Sequence, residues 1–331
     1  MASADLVDDM GDTYAAADAT MLGWDQAPSS IQTGRVAGGC QRWTSRVGLR
    51  AVPSSASRTT RFAWRPTSAA ANSDVFRYYE TGTEHIRLNY NGDGTFTVSR
   101  AGTALAGGTT ANLGIASNTW YHIELYALID NTTGAFELRV NEVAVASGSG
   151  LDTRNGGTSG VINQIRVAAS STTHDFDDLH SMSGQDWAGD TRCIGQLPNS
   201  DGATLQWTPS TGTTHYTLVD DATPGGDTDY VSDATAGHID TYGYPSVGVG
   251  SGATVLGVMV RLIARKDDAG TRTIDQVVRR GGTNYATGTA KTLSTSYAAA
   301  EGIFLTDPST GSAWASVAAV NAGEYGVKEV A

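Results

Sequence analysis

The chain has 331 residues, a formal net charge of −12 and 40 glycines. With 17% charged and 40% hydrophobic residues, this composition excludes long helices, coiled coils and intrinsic disorder, and it is typical of turn-rich globular domains. The acidic excess divides evenly, because residues 1–187 carry 13 basic and 19 acidic side chains and residues 188–331 carry 9 and 15. Neither part is suited to binding nucleic acid.

The first residues, MASADLVDDMGDTY, are acidic and lack the basic and apolar regions of a secretory signal, so we expect the chain to fold in a cytoplasm. The most apolar run, residues 255–264, is about half the length that spans a bilayer. It also contains Arg261, and we therefore expect no membrane insertion. Cys40 and Cys193 lie far apart, which predicts buried free thiols rather than a disulfide framework.

Short β-type runs follow one another from residue 59 to residue 168. The turn between HIRLNY and TFTVSR is NGDG at residues 91–94, and Asn and Gly supply the positive φ that a tight hairpin requires. Tyr121, Ile123 and Leu125 alternate with polar or amphipathic neighbours, as in a half-buried strand. Several such strands at short, regular spacing predict a β-sandwich.

The composition changes at residues 183–190 (SGQDWAGD), a polar segment with two glycines. We therefore predict two domains, residues 1–185 and residues 186–331. The second contains further β-type runs, such as ATVLGVMVRLIARK and TRTIDQVVRR, which predict a smaller β-sandwich-like domain. Trp314, Val317, Ala318 and Asn321 have helical spacing, so one short helix is expected near the end of the chain.

Three segments of the first region carry a family resemblance: NTWYHIEL at residues 118–125, FELRVN at 136–141 and DFDDL at 175–179. Together they resemble a laminin-G-like or concanavalin A-like jelly roll, in which a Trp-Tyr-His strand precedes a strand ending in Val-Asn-Gly. Glu142 stands here where that pattern has Gly. The resemblance covers roughly residues 1–185 and implies an all-β jelly-roll domain.

The second region is similar to the C-terminal part of tailed-bacteriophage virion structural proteins, through GDTRCIGQLPNSDGATLQWTPSTGTTHYTLVDD, DTDYVSDATAG and ARKDDAGTRTIDQVVR. Such proteins commonly carry a concanavalin A-like domain ahead of this segment. The resemblance implies a non-enzymatic particle component that is assembled in the bacterial cytoplasm and resides in the virion. Its implied partners are other virion proteins and copies of itself.

The sequence offers little support for catalysis. Jelly-roll glycoside hydrolases place two carboxylates across a cleft, commonly two or four residues apart on one strand, whereas Glu124 and Glu137 each stand without such a partner. The histidines show no HExxH spacing and no serine lies in a GxSxG motif. We therefore expect no enzyme activity.

Asp175, Asp177 and Asp178 are the candidate metal ligands. Their oxygens could coordinate Ca²⁺, which binds several carboxylates and carbonyls, and some laminin-G-like domains hold calcium. The alternative is that the three carboxylates are strand charges or cap backbone groups. No other cofactor is expected.

Aromatic residues are the candidate contacts for a glycan or a protein partner, because exposed Trp and Tyr stack on flat surfaces and anchor interfaces. The candidates are Trp24, Trp43, Trp64, Tyr78 and Tyr79, and the alternative for each is a place in the core.

These observations predict a non-enzymatic phage virion structural protein, an exposed tail- or fibre-type component that adheres to host glycans. One alternative is a head-decoration, neck or collar fibre protein that stabilises the particle. A glycan hydrolase is the third and least supported class.

Overall fold

A computed structural model describes residues 4–36, 38–250 and 252–331. The chain forms two compact units, of which the first ends at Gly195 and the second begins at Gln196. Residues 186–195 thus belong to the first unit, although the composition had placed the division at residue 185. Both units are built almost entirely of β-strands, which confirms the predicted all-β class.

Within the described residues, the first unit has twelve strands joined by antiparallel ladders. Strands β1 to β12 span Ala4–Asp8, Ser30–Thr33, Gly39–Ser55, Ser57–Pro66, Ser73–Glu80, Thr83–Tyr90, Phe96–Arg100, Thr103–Thr109, Tyr121–Leu128, Gly134–Val140, Val143–Leu151 and Ile162–Ser183. A 3₁₀ helix at Ala16–Thr20 lies between β1 and β2. The predicted hairpin at residues 91–94 joins β6 to β7, with positive φ at Gly92 and Gly94.

Two layers of a jelly-roll-like sandwich share the long strand β12. Residues 174–183 of β12 pair with β4, and β9, β10 and β11 follow β4 in order; we call this layer sheet 1. Residues 164–167 of β12 pair with β5, and β6, β7 and β8 follow β5; this layer is sheet 2. Strand β3 pairs along both parts of β12, and its register shifts between Ala169 and Thr173, where β12 passes from one layer to the other.

The core of the first unit lies between the sheets and is rich in aromatic rings. Phe62 of β4 stacks on Phe76 of β5, with ring centroids 5.2 Å apart. Trp64 of β4 meets Phe96 of β7 edge to face at 5.5 Å. Because even-numbered residues of β4 point into this core, the odd-numbered ones lie on the outer face of sheet 1.

The second unit also has twelve strands among its described residues. Strands β13 to β24 span Ser200–Leu205, Thr208–Pro209, Val231–Ser232, Ile239–Gly243, Val258–Ala264, Thr273–Arg280, Thr283–Ala286, Lys291–Thr292, Ala298–Phe304, Thr306–Asp307, Ser312–Ala313 and Glu324–Glu329. The main sheet has the order β13-β16-β24-β18-β19, and β20 also pairs with β18. Strands β17 and β21 form a separate ladder.

A small core joins this ladder to the main sheet: Val260 and Phe304 pack with Val278, Trp314 and Tyr325. The indole N–H of Trp314 donates to the Phe304 carbonyl at 2.9 Å. The expected helix is present as α1, Val317–Asn321, and the Ser316 side chain caps it by accepting from the Ala319 N–H.

A 3₁₀ helix at Tyr216–Leu218 completes the regular structure. In the part of the chain that the structure describes, no helix combines the length and the apolar character needed to cross a bilayer. Cys40 and Cys193 are buried free thiols, as the sequence predicts.

Candidate functional site

The outer face of sheet 1 carries charged and polar side chains in register across four strands. Arg61 of β4 lies opposite Glu124 of β9 and, on its other side, opposite His180 of β12. Glu124 in turn lies opposite Arg139 of β10. Directly opposed residues share a face, so these four side chains form one polar row, with His122 two residues away on β9.

Arg61 is the centre of this row and is fully buried. Its Nε donates to Oε1 of Glu124 at 3.1 Å, and its Nη1 lies 3.1 Å from Nδ1 of His180. Because a guanidinium only donates, Nδ1 of His180 must accept and the ring proton resides on Nε2. Burial and the nearby Arg61 charge lower the pKa of His180 to about 4, so this imidazole is neutral at pH 7.

Glu124 and His122 keep unused hydrogen-bonding capacity beside Arg61. Burial raises the pKa of Glu124, whereas Arg61, Arg139 and the backbone N–H of Gly189 favour its charged form. Its Oε2 has no hydrogen-bond partner among the described residues. The same is true of both ring nitrogens of His122, which is only 2% exposed and whose pKa burial lowers to about 4. Buried polar atoms without partners are uncommon in folded proteins.

A segment without regular secondary structure covers this row. We call residues 184–195 the strap; beyond Gly184 it contains no strand or helix. Arg61 Nη2 donates to the Asp186 carbonyl at 2.6 Å and lies 3.3 Å from its carboxylate. The Arg139 guanidinium stacks on the Trp187 ring, with its Cζ atom 4.0 Å from the ring centroid. The same ring meets Tyr126 edge to face. The strap is thus held by side chains rather than by a β ladder.

The C-terminal half of the strap is anchored through Asp190 and Cys193. Arg35 Nη1 donates to Asp190 at 2.7 Å, the Asp190 N–H donates to Glu142 at 3.0 Å, and the Cys193 N–H donates to Asp178 at 2.8 Å. Glu142 occupies the turn between β10 and β11 at φ +69°, a conformation that favours glycine. The residue that departs from the Val-Asn-Gly pattern is therefore the one whose carboxylate holds the strap.

The accessible end of this face lies near Trp120, where two partly exposed arginines hold the fully buried Asp175. Arg42 donates to it through Nε and Nη2 at 2.7 and 2.9 Å, and Arg65 Nε donates at 2.8 Å. The Arg65 guanidinium also lies 4.5 Å from the centroid of the Trp120 ring, which is half-buried. This end combines a partly accessible indole with fixed positive charge.

Asp177 and Asp178 sit under the strap, where β12 bulges and Asp178 has φ +54°. Asp177 accepts from the backbone N–H groups of Arg35 and Asp178 at 2.7 and 2.8 Å. Burial and the adjacent Asp178 charge raise the pKa of Asp177 to about 8, and burial raises that of nearby Asp12 to about 6. Asp177 is therefore largely protonated at neutral pH.

The three candidate calcium ligands thus have other partners. Asp175 is neutralised by two guanidinium groups, Asp177 is largely uncharged, and Asp178 is bonded to the strap. Across the described ranges, no group of three or more His, Cys, Asp or Glu is arranged to hold a metal ion. These carboxylates therefore fit the alternative reading of the sequence: Asp175 is a charged strand residue paired with arginines, and Asp177 and Asp178 accept hydrogen bonds from backbone N–H groups.

The five candidate aromatic contacts are core residues, which corrects their assignment to a surface. Trp24, Trp43, Trp64, Tyr78 and Tyr79 are each at most 5% exposed. Trp24 packs against Trp43 and donates to Asp8, and Tyr78 donates to the Leu125 carbonyl. Their rings are enclosed by other side chains and offer no face to a sugar.

No local pattern in the sequence indicated the polar row or the two half-buried tryptophans of the first unit, Trp120 and Trp187. His122 and Glu124 alternate with apolar residues and Arg61 precedes the apolar Phe62, so the strand period already placed them away from the core. Their assembly into one row depends on the register between β4, β9 and β12, which no local pattern shows.

No family model matches the chain, and no match is found among curated proteins. Among solved structures, the chain is similar to a sialidase, with TM-score 0.41, 13% identity and coverage of 56% of this chain and 19% of the sialidase. It is also similar to the alginate lyase Aly36B, with TM-score 0.40, 14% identity and coverage of 56% and 98%. A GH131 β-glucanase catalytic domain from Podospora anserina gives TM-score 0.36, 10% identity and coverage of 56% and 99%. The chain spans about a fifth of the sialidase's length.

Proposed function

We propose that the chain is a non-enzymatic structural component of a bacteriophage virion, of the exposed tail or fibre type, that adheres to host glycans. It would be assembled in the bacterial cytoplasm and would associate with other virion proteins and with copies of itself. The resemblance of the second region to phage virion proteins supports the particle assignment.

The observation that carries the adhesive role is the accessible end of the outer face of sheet 1. There the half-buried Trp120 ring is fixed by the Arg65 guanidinium, and both lie beside the Arg42–Asp175 pair. An amphipathic indole held in place by packing provides contact area with little loss of conformational entropy on binding. Many copies on one particle would raise the avidity of weak individual sites.

The geometry of Glu124 supports a non-catalytic face. This carboxylate is fully buried and ion-paired with Arg61, and the strap lies over it. Incubation of the protein with host polysaccharide should release no reducing sugar. Release that disappears in Glu124→Gln would instead establish a hydrolase.

The particle assignment is tested by immunogold electron microscopy of purified virions with antibody against the recombinant protein. We expect gold on the tail or its fibres. Gold on the head or collar would favour a decoration protein, and absence of gold on intact particles, with the protein present in lysates, would refute an exposed component.

The adhesive role is tested by binding of the full chain to host cells. Trp120→Ala should weaken this binding by roughly tenfold, the order expected for a central aromatic anchor. Trp207→Ala provides the matched control, since Trp207 is a half-buried indole of the second unit. Equal binding by the native chain and Trp120→Ala would refute the assignment of this end of the face.

A further inference from the structure

The strap contacts sheet 1 in the way a bound ligand would. It presents the Asp186 carbonyl and carboxylate to Arg61 and the flat Trp187 ring to Arg139. Its Asp190 carboxylate meets Arg35, which lies beside the sheet in the connection between β2 and β3. Two carboxylates and one ring of the strap thus contact three guanidinium groups, although the chain as a whole is strongly acidic. Two of these groups also have a partner in sheet 1, since Arg61 is paired with Glu124 and Arg139 with Glu137. Beneath these contacts lie the ring nitrogens of His122 and Oε2 of Glu124, which have no hydrogen-bond partner in the described part of the chain.

We propose that the strap is an internal pseudo-ligand that covers a second binding site on the outer face of sheet 1, and that a carboxylate-bearing saccharide binds there when the strap opens. Arg61, Arg35 and Arg139 would take the carboxylates, because guanidinium groups bind them with charge-assisted hydrogen bonds. His122 and Glu124 would take hydroxyl groups, since the imidazole offers one donor and one acceptor and Oε2 accepts. This inference rests on the proposed glycan adhesion and specifies its ligand class and its regulation.

The strap is suited to opening because few of its backbone groups are paired with strands. Between Gly184, whose N–H donates to the Ser57 carbonyl, and Cys193, it is retained mainly by Trp187, Asp186 and Asp190. Gly184 and Gly189 have φ of +83° and +74°, which glycine adopts without strain. Segments with few backbone ladder bonds open at low free-energy cost.

Glu142 provides a way to open the strap without harming the sandwich. Its side chain is exposed and its turn conformation favours glycine. Glu142→Gly therefore removes the acceptor of the Asp190 N–H while suiting the turn, and the Arg35–Asp190 pair remains. Trp187→Ala removes the stacking on Arg139. We expect the double variant to keep the fold and to show faster hydrogen exchange at residues 185–192.

The binding probe is an oligogalacturonate, compared with its fully methyl-esterified form, which has the same rings without charge. A binding-competent state that is populated to a tenth or less weakens apparent affinity by that factor. The double variant should therefore bind oligogalacturonate at least roughly tenfold more tightly than the native chain, and neither should bind the ester. Adding Arg139→Gln to the double variant should abolish the gain in affinity, because it removes one of the guanidinium groups that would bind a carboxylate. Arg139 is partly exposed, so its loss should spare the core.

Each other outcome overturns the inference. Unchanged exchange at residues 185–192 would show that these contacts do not retain the strap. Faster exchange without binding would show that no site lies beneath it, and equal binding of acid and ester would refute the ligand class. Host-cell binding that depends on Trp120 is measured on the native chain, so the proposed adhesion can survive when the strap inference fails.

Discussion

The buried titratable groups of the first unit predict a stability maximum near pH 6.5. His122, His174 and His180 have pKa values lowered by burial to about 4. The unfolded chain therefore binds protons there that the folded chain does not, and stability rises as the pH increases from about 4 to about 6.5. Asp12 and Asp177 lower the stability as the pH rises. Their pKa values are raised in the folded chain, so the folded chain holds protons that the unfolded chain has lost.

Above pH 6.5 the histidines are neutral in the folded state, and in the unfolded state they lose their remaining protons by about pH 7.5. Asp12, with a pKa of about 6, is largely ionised in both states. Asp177 remains protonated in the folded state up to about pH 8. One proton of difference corresponds to about 1.4 kcal/mol per pH unit, and folded Asp177 has lost half of its proton by pH 8, so its contribution to the free energy of unfolding should fall by about 1.6 kcal/mol between pH 6.5 and 8.

Asp177→Asn should remove this alkaline decline, because the amide does not ionise. Asp152→Asn, an isosteric change at an exposed side chain, should leave the decline intact. The measurement is urea unfolding of the full chain at pH 5, 6.5 and 8, followed by tryptophan emission. Five of the seven tryptophans belong to the first unit. The same profile above pH 6.5 in the native chain and in Asp177→Asn would refute this reasoning.

Three further predictions concern the core and the carboxylate cluster. Phe62→Ala should destabilise the first unit by about 3–5 kcal/mol in urea unfolding, because it removes a fully buried ring from between the sheets; a cost below about 1 kcal/mol would contradict the assignment of the core. Calcium should leave the Tm unchanged, because Asp175 is already paired with Arg42 and Arg65, and a rise that EDTA reverses would restore the metal site. Cys40 and Cys193 should react with iodoacetamide only after unfolding, because burial raises the pKa of Cys40 to about 12 and that of Cys193 well above its ordinary value; mass spectrometry that finds rapid labelling of the folded chain would contradict their burial.

The sequence by itself determined the class of fold and several local structures. Alternation of apolar and polar residues, together with Gly- and Asn-containing turns, is a short-range property, so the strands and the hairpin at residues 91–94 could be predicted from neighbouring residues alone. Helical spacing and the Ser316 cap likewise define α1 within a few residues. The polarity of residues 183–190 indicated that the strands of the first domain end there, which agrees with the end of β12 at Ser183. It did not indicate that residues 186–195 remain with the first unit.

Only the tertiary structure decided which aromatic rings are buried and which polar groups meet. A tryptophan has the same local sequence signature in a core as at a surface, and the packing of Trp64 against β6 and β7 depends on residues about 25 to 30 positions away. The polar row likewise joins Arg61, Glu124 and His180 through strand register, and the strap over it is held by pairs such as Arg35 and Asp190. These contacts join distant parts of the chain, so they follow from how the sheets pair and not from any local pattern.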